Sequence, residues 1–238
     1  MYPDGFEIRT AKSAAEHVSQ AYALYENPSS RPTTVNGFKL STFFFDVDGP
    51  KQRRMGYVAT RGAEAVISIR GTKNLADWKT DLHGTTSEAP EFYTGMKAHT
   101  GFLTRYLSFA GGVREVVDGL RRAGAARKVL VTGHSLGGAL AELCALDLRA
   151  EDHKDVTLYT FGAPRVWADA ATAKKFRAIC PESYRVVNPH DMVPRSPPGF
   201  AHHEGEWSIP EPFGKDGAIE AHAIASYLSI VSEYAKAR

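Results

Sequence analysis

Gly133-His134-Ser135-Leu136-Gly137 is the stretch whose residue types and spacing point most directly to chemistry. The β-branched and apolar run that leads into it stops at Gly133, and an uninterrupted helical pattern begins directly after the serine. A GxSxG spacing between strand and helix is a nucleophile elbow, in which a sharp turn lifts the serine hydroxyl above the end of a sheet. Glycines two residues before and after the serine remove Cβ atoms that would collide with neighbouring backbone. The same turn leaves the first amides of the new helix without intrahelical partners, and the positive end of the helix dipole favours a developing oxyanion. The chemistry implied is acyl transfer.

A serine hydroxyl is a poor nucleophile at neutral pH, so it needs a base within hydrogen-bond reach and a group that holds the base in one tautomer. Histidine is the expected base. In α/β-hydrolases the chain order is serine, acid, histidine, so both partners should follow Ser135. Asp191 lies in Asn188-Pro189-His190-Asp191-Met192-Val193-Pro194, just after a β-rich run and between two prolines, which places it on the correct edge of a sheet. Asp152, Asp155 and Asp169 precede that run and fit less well. Beyond Asp191 the histidines are His202, His203 and His222. Position favours His222, because Ala221-His222 is expected to open a final helix after a Gly-containing loop, whereas His202 and His203 adjoin Pro197-Pro198-Gly199.

These residues need a scaffold, and the hydrophobic pattern supplies one. Ser13-Ala14-Ala15-Glu16 has the form of a capping box, and Ala14, Val18, Ala21, Tyr22 and Tyr25 follow at helical spacing until Pro28. Phe43 to Val47 and Met55 to Ala59 suit an antiparallel hairpin, and Ala65 to Arg70 a strand buried on both faces. Phe102 to Leu120 repeats at three and four residues despite Gly111-Gly112, and Gly124 can end that helix. Val156 to Phe161, Tyr184 to Val187 and Glu206 to Ile209 read as strands, Trp167 to Ile179 and Ala221 to Ala235 as helices. Such alternation predicts an α/β fold with a mostly parallel central sheet, helices on both faces, and the loops that carry function on one edge.

Composition narrows the partners. A chain of 238 residues suits one large α/β domain, expected over 1–238, and is short for two. A net charge of +2 with both signs dispersed leaves no basic stripe for a nucleic-acid backbone. The N-terminal residues show no charged leader followed by an apolar core, and no run approaches a membrane span. A soluble, leaderless chain is therefore expected, either cytoplasmic or secreted with its leader removed. Cys144 and Cys180 lack the spacing of a metal site or a redox pair; a buried thiol is expected at Cys144, and a disulfide stays open.

Taken in order, Ile69-Arg70-Gly71-Thr72, Asp77-Trp78 with Asp81, His99-Thr100-Gly101-Phe102, the elbow with Gly137-Gly138-Ala139, Thr160-Phe161-Gly162-Ala163-Pro164-Arg165, Asp191-Met192-Val193-Pro194 and His222 with Tyr227 resemble the class 3 lipases. That family includes fungal triacylglycerol lipases, feruloyl esterases and plant phospholipase-type acylhydrolases. The likeness runs from about Ile69 to Tyr227, and Val166-Trp167-Ala168 depart from the family's usual small residue and asparagine. It implies an α/β-hydrolase fold and a serine carboxylic ester hydrolase with the triad Ser135, Asp191 and His222. It also implies an oxyanion hole from Thr72 and the Leu136 amide, with no metal and no organic cofactor. The implied substrate is a lipid or small-molecule ester, with acylglycerols first and soluble short-chain, feruloyl or phospholipid esters as alternatives; a non-catalytic binding module is the reading from another class. Thr72 ends an earlier strand, from which a second donor can reach the elbow from the side. The connection 73–98 is expected to be a lid, with Leu75, Trp78 and Leu82 as one apolar face; a fixed surface helix is the other reading.

Overall fold

The computed structural model describes residues 1–30, 33–46, 53–72, 85–89, 93–151, 153, 155–210 and 218–237. Along these run α1 (Ile8–Glu26), β1 (Thr34–Val35), β2 (Phe38–Asp46), β3 (Arg53–Arg61), β4 (Glu64–Ile69), β5 (Thr86–Glu88), β6 (Lys97–His99) and α2 (Thr100–Arg122). They continue with β7 (Lys128–His134), α3 (Leu136–Ala150), β8 (Val156–Phe161), α4 (Ala170–Ile179), β9 (Ser183–Val187), β10 (Glu206–Ser208), α5 (Ala218–His222) and α6 (Ile224–Lys236). One eight-stranded sheet takes the order β1-β2-β3-β4-β7-β8-β9-β10, and β5 with β6 forms a separate antiparallel pair. Neighbours from β1 to β4 are antiparallel, and those from β4 to β10 are parallel. The fold is the α/β-hydrolase type expected.

The central strands are apolar on both sides because both faces are covered. Ala65, Ile67 and Ile69 of β4, with Val129 and Val131 of β7, pack in one cluster with Phe102, Tyr106, Val113 and Val117 of α2 and Leu140, Leu143 and Leu146 of α3. Val66 turns the other way, into a cluster with Ala21 and Leu24 of α1. In a third cluster Phe161, Val186 and Trp207 pack against Ala11, Ala14 and Val18 of α1 and Ile230 and Val231 of α6. Cys144 and Cys180 are buried free thiols.

Parallel pairing aligns the strand ends. Ile69 pairs with Gly133, Gly133 with Thr160 and Thr160 with Arg185, while His134 pairs with Phe161 and Phe161 with Val186. The chain therefore leaves the sheet on one edge just before Gly71-Thr72, Ser135, Gly162 and the 188–191 loop.

Several boundaries differ from the sequence reading. The first helix starts at Ile8, not at a capping box, so Ser13 lies inside it and Ser13 with Glu16 receives the Asn36 side-chain amide instead. Its entry is fixed from afar, by the Glu7 N–H donating to the Tyr159 hydroxyl at 2.9 Å. The fourth helix begins at Ala170, where Asp169 caps it by accepting the Thr172 N–H at 2.7 Å, which also gives Asp169 a role unrelated to acid chemistry. Trp167 is extended and fully buried, bridging Ala98 and Ala201. The last helical pattern is two helices, broken at Ala223, whose backbone is extended, so His222 closes a short helix and does not open a long one. Part of the expected lid range is the β5–β6 pair; Leu75, Trp78 and Leu82 lie outside the described residues, as do Val47 and the tip of the hairpin.

Candidate active site

Ser135 stands between β7 and α3 with φ 57° and ψ −131°, a left-handed conformation that a side-chain-bearing residue adopts only when its surroundings enforce it. The enforcement is visible. A Cβ on Gly133 would collide with the Gly137 carbonyl, and one on Gly137 with the Ile69 carbonyl, so both glycines of the elbow are required by close backbone approach. The Ser135 carbonyl accepts the Gly138 N–H at 2.9 Å, leaving the Leu136 amide ahead of the first helical acceptor at the positive end of α3. Gly71 abuts the nucleophile from β4, because a Cβ there would lie 2.8 Å from the Ser135 Cβ. Thr72, half-buried, is the next residue.

Asp191 reaches the site from the loop after β9 and is buried. Its Oδ1 accepts the Val193 N–H at 2.9 Å, and its Oδ2 accepts the Tyr227 hydroxyl at 2.8 Å and the His222 Nδ1 at 2.7 Å. A carboxylate has no proton to give, so Nδ1 carries the hydrogen, and in the neutral imidazole Nε2 keeps its lone pair. The His222 Nε2 and the Ser135 Oγ are both buried, and neither makes a hydrogen bond among the described residues. The His222 ring packs 4.6 Å from the ring of His134, the neighbour of Ser135.

Three supports were not assigned a role from sequence. The Tyr227 hydroxyl accepts the Asn188 N–H at 3.1 Å while donating to Asp191, and the Asn188 side chain donates to the Ala221 carbonyl at 3.2 Å. Asn188 and Tyr227 thus bind the acid loop to the two helices that flank His222. Gly162, with φ 54°, floors the pair: a Cβ on it would lie 2.6 Å from the Asp191 Oδ2 and 3.2 Å from the His222 Nδ1. The signals in the sequence were the motifs that contain them: the Gly162-Ala163-Pro164 turn at a strand end, Asn188 in the acid loop and Tyr227 after His222.

The other two histidines sit elsewhere. His202 bonds the Pro194 carbonyl at 2.7 Å through Nε2, and burial, aided by Arg185, pushes its pKa down to about 3. His203 bonds the Glu204 carbonyl through Nδ1, and its Nε2 lies 3.7 Å from the Glu142 carboxyl.

The fold and this geometry define the class: an α/β-hydrolase with serine, histidine and aspartate gathered at the parallel strand ends. The family Lipase (class 3) matches residues 66–201, and the chain belongs to it. Among relatives, a secreted mono- and diacylglycerol lipase of Fusarium solani is 37% identical over 86% of this chain and 64% of its own length. A lipase of Rhizomucor miehei is 38% identical over 64% of this chain and 44% of its own length. A solved triacylglycerol lipase, whose catalytic centre is described as a serine protease triad, superposes with a TM-score of 0.75 at 28% identity, over 89% of this chain and 83% of that one. The chain thus spans less than two thirds of the length of these curated relatives. Among the described residues no helix is long and apolar enough to cross a membrane.

Proposed function

We propose that this chain is a carboxylic ester hydrolase that cleaves acylglycerol esters through an acyl-enzyme. The observation that carries the reading is the 2.7 Å bond from His222 Nδ1 to Asp191, which in the neutral imidazole leaves the lone pair on Nε2, an atom buried like the Ser135 hydroxyl and, like it, without a hydrogen bond among the described residues. His222 takes the Ser135 proton as Oγ adds to the ester carbonyl, and the Thr72 amide and hydroxyl with the Leu136 amide hold the tetrahedral oxyanion. Collapse expels the alcohol, which takes the proton from His222. Water, deprotonated by the same nitrogen, then releases the fatty acid and frees Ser135. The reaction as written needs no metal and no organic cofactor. The Fusarium relative's name supports partial glycerides as substrates.

A panel of nitrophenyl esters of rising acyl length, run beside emulsified di- and triglyceride, tests the reading. Activity that rises with acyl length and persists on the emulsion is expected; cleavage confined to soluble short or aromatic esters would make the chain an esterase. Failure of a fluorophosphonate to label Ser135 would leave only a binding module. Thr72→Val keeps the amide and deletes the hydroxyl, and should lower kcat roughly a hundredfold with KM little changed.

A further inference from the structure

A chain of three hydrogen bonds crosses the site from behind. The Gly71 N–H meets the Tyr22 hydroxyl at 2.9 Å, the same hydroxyl meets His134 Nδ1 at 2.8 Å, and His134 Nε2 meets the His222 carbonyl at 2.6 Å. The bonds join α1, the end of β4, the elbow and the end of α5, four pieces far apart in sequence.

Every proton in this chain can be placed by elimination. The His222 carbonyl has no hydrogen, so His134 Nε2 must donate to it. His134 is buried, and burial together with the neighbouring His222 holds its pKa well below the ordinary histidine value, so it carries that one proton and no second. Its Nδ1 is then a lone pair, and the Tyr22 O–H must donate to it. The Tyr22 oxygen in turn accepts the Gly71 N–H. Each donor is used once, and reversing any link leaves a buried group unpaired.

We infer that Tyr22 is a positioning residue for catalysis, acting through His134 to hold the backbone of His222 and to keep the imidazole beside it neutral while His222 becomes an imidazolium. This rests on the assignment of His222 as the base. The second half follows from placement. The two rings are 4.6 Å apart at centroids, so a charged His134 would oppose the charge that His222 must accept. The groups that face His134 are Tyr22 from α1, with Arg70 behind it at the end of β4, His222 from α5, and Tyr227 from α6 at 6.0 Å between rings. Asp191 stands on the other side of His222, bonded to its Nδ1. The donated hydroxyl of Tyr22 thus occupies the Nδ1 lone pair and adds to what burial and His222 already do in keeping a second proton off the ring.

Tyr22→Phe keeps the ring and removes the donor. With a soluble ester, kcat should fall roughly tenfold with KM unchanged, and the acidic limb of the kcat/KM profile should move up by about half a pH unit or more, because His134 can now charge. In Tyr22→Phe/His134→Gln the limb should return to its original pH, while kcat stays low. A lower Tm with an unmoved acidic limb would make Tyr22 a packing residue only. If the variant does not fold, ¹⁵N spectra of the unaltered protein decide: a His134 that stays Nε2-protonated from pH 5 to 8 supports the inference, and one that titrates in that window overturns it. Activity retained in His222→Ala would instead overturn the triad assignment, and stoichiometric fluorophosphonate labelling of Tyr22→Phe keeps the two failures apart.

Discussion

His222 and His203 are both buried beside a buried carboxyl group, and what surrounds each carboxyl decides what its histidine can do. Asp191 lies at a strand end, where a backbone N–H, a tyrosine hydroxyl and the imidazole fill its lone pairs. Glu142 lies in the middle of α3, with neither oxygen hydrogen-bonded and His203 Nε2 3.7 Å away. Burial pushes the Glu142 carboxyl up to about 8, only partly offset by Arg185 and by the nearby Trp167 indole, so near neutrality it holds a proton. Burial, with Arg185 adding to it, also holds His203 well below the ordinary histidine value, so both partners are neutral. A proximal histidine and carboxyl therefore do not make an acid–base pair unless donors from the fold receive the charge.

The sharpest break of this contrast is His222→Ala against His203→Ala. The first should cost on the order of a million-fold in kcat and the second less than about tenfold; the reverse order would move the base to His203. Asp191→Asn comes next. An amide that presents N–H to Nδ1 would favour the wrong tautomer, and turnover should drop about ten-thousandfold, by analogy with the same change in serine proteases, while fold and substrate affinity persist. Gly162→Ala presses a methyl against both members of the productive pair at a left-handed φ, and kcat should fall about ten- to a hundredfold with KM held. An unaltered kcat would show that the pair tolerates displacement.

The smallest effect on activity belongs to the other pair. Glu142→Gln should leave kcat within about twofold, yet it should change stability with a definite sign. The folded pKa of Glu142 is raised, from 4.5 to about 8, so its proton favours the fold fully below about pH 4.5 and that contribution is lost as pH rises toward 8. The gain in Tm of Glu142→Gln over the unaltered protein should therefore grow from pH 5 to pH 8, at about 3 °C for each kcal/mol. A gain that shrinks over that range would mean that Glu142 is ionised and paired with His203.

Ser135, Asp191 and His222, the proposed nucleophile, acid and base, stood out in the sequence because the chemistry dictates a local context: glycines around a serine, an aspartate after a strand, a histidine further on. The mostly parallel sheet was legible as well, since strand and helix patterns alternate along the chain and the Ala65 to Arg70 run is apolar almost without a break. What failed was set by distant partners. The true start of α1 depends on Tyr159, the extended path of Trp167 on Ala98 and Ala201, and the break at Ala223 on a loop that must present His222 to Asp191. The short β5 and β6 carry too few residues for any periodicity to register. Tyr22 read as one more apolar position of an amphipathic helix, and nothing near it in the chain pointed to His134.

The side-by-side packing of α1 and α6 bears on how the protein is made. Tyr22 belongs to the first of these helices and Tyr227 to the last, and the nucleophile sits between strands that α1 covers. During synthesis the elbow, the acid loop and most of the sheet emerge well before α6 can dock. Contacts this remote in sequence close slowly. A nascent chain should thus expose a nearly complete sheet before the proposed triad is assembled, so covalent labelling of Ser135 would report docking of α6 better than any measure of secondary structure.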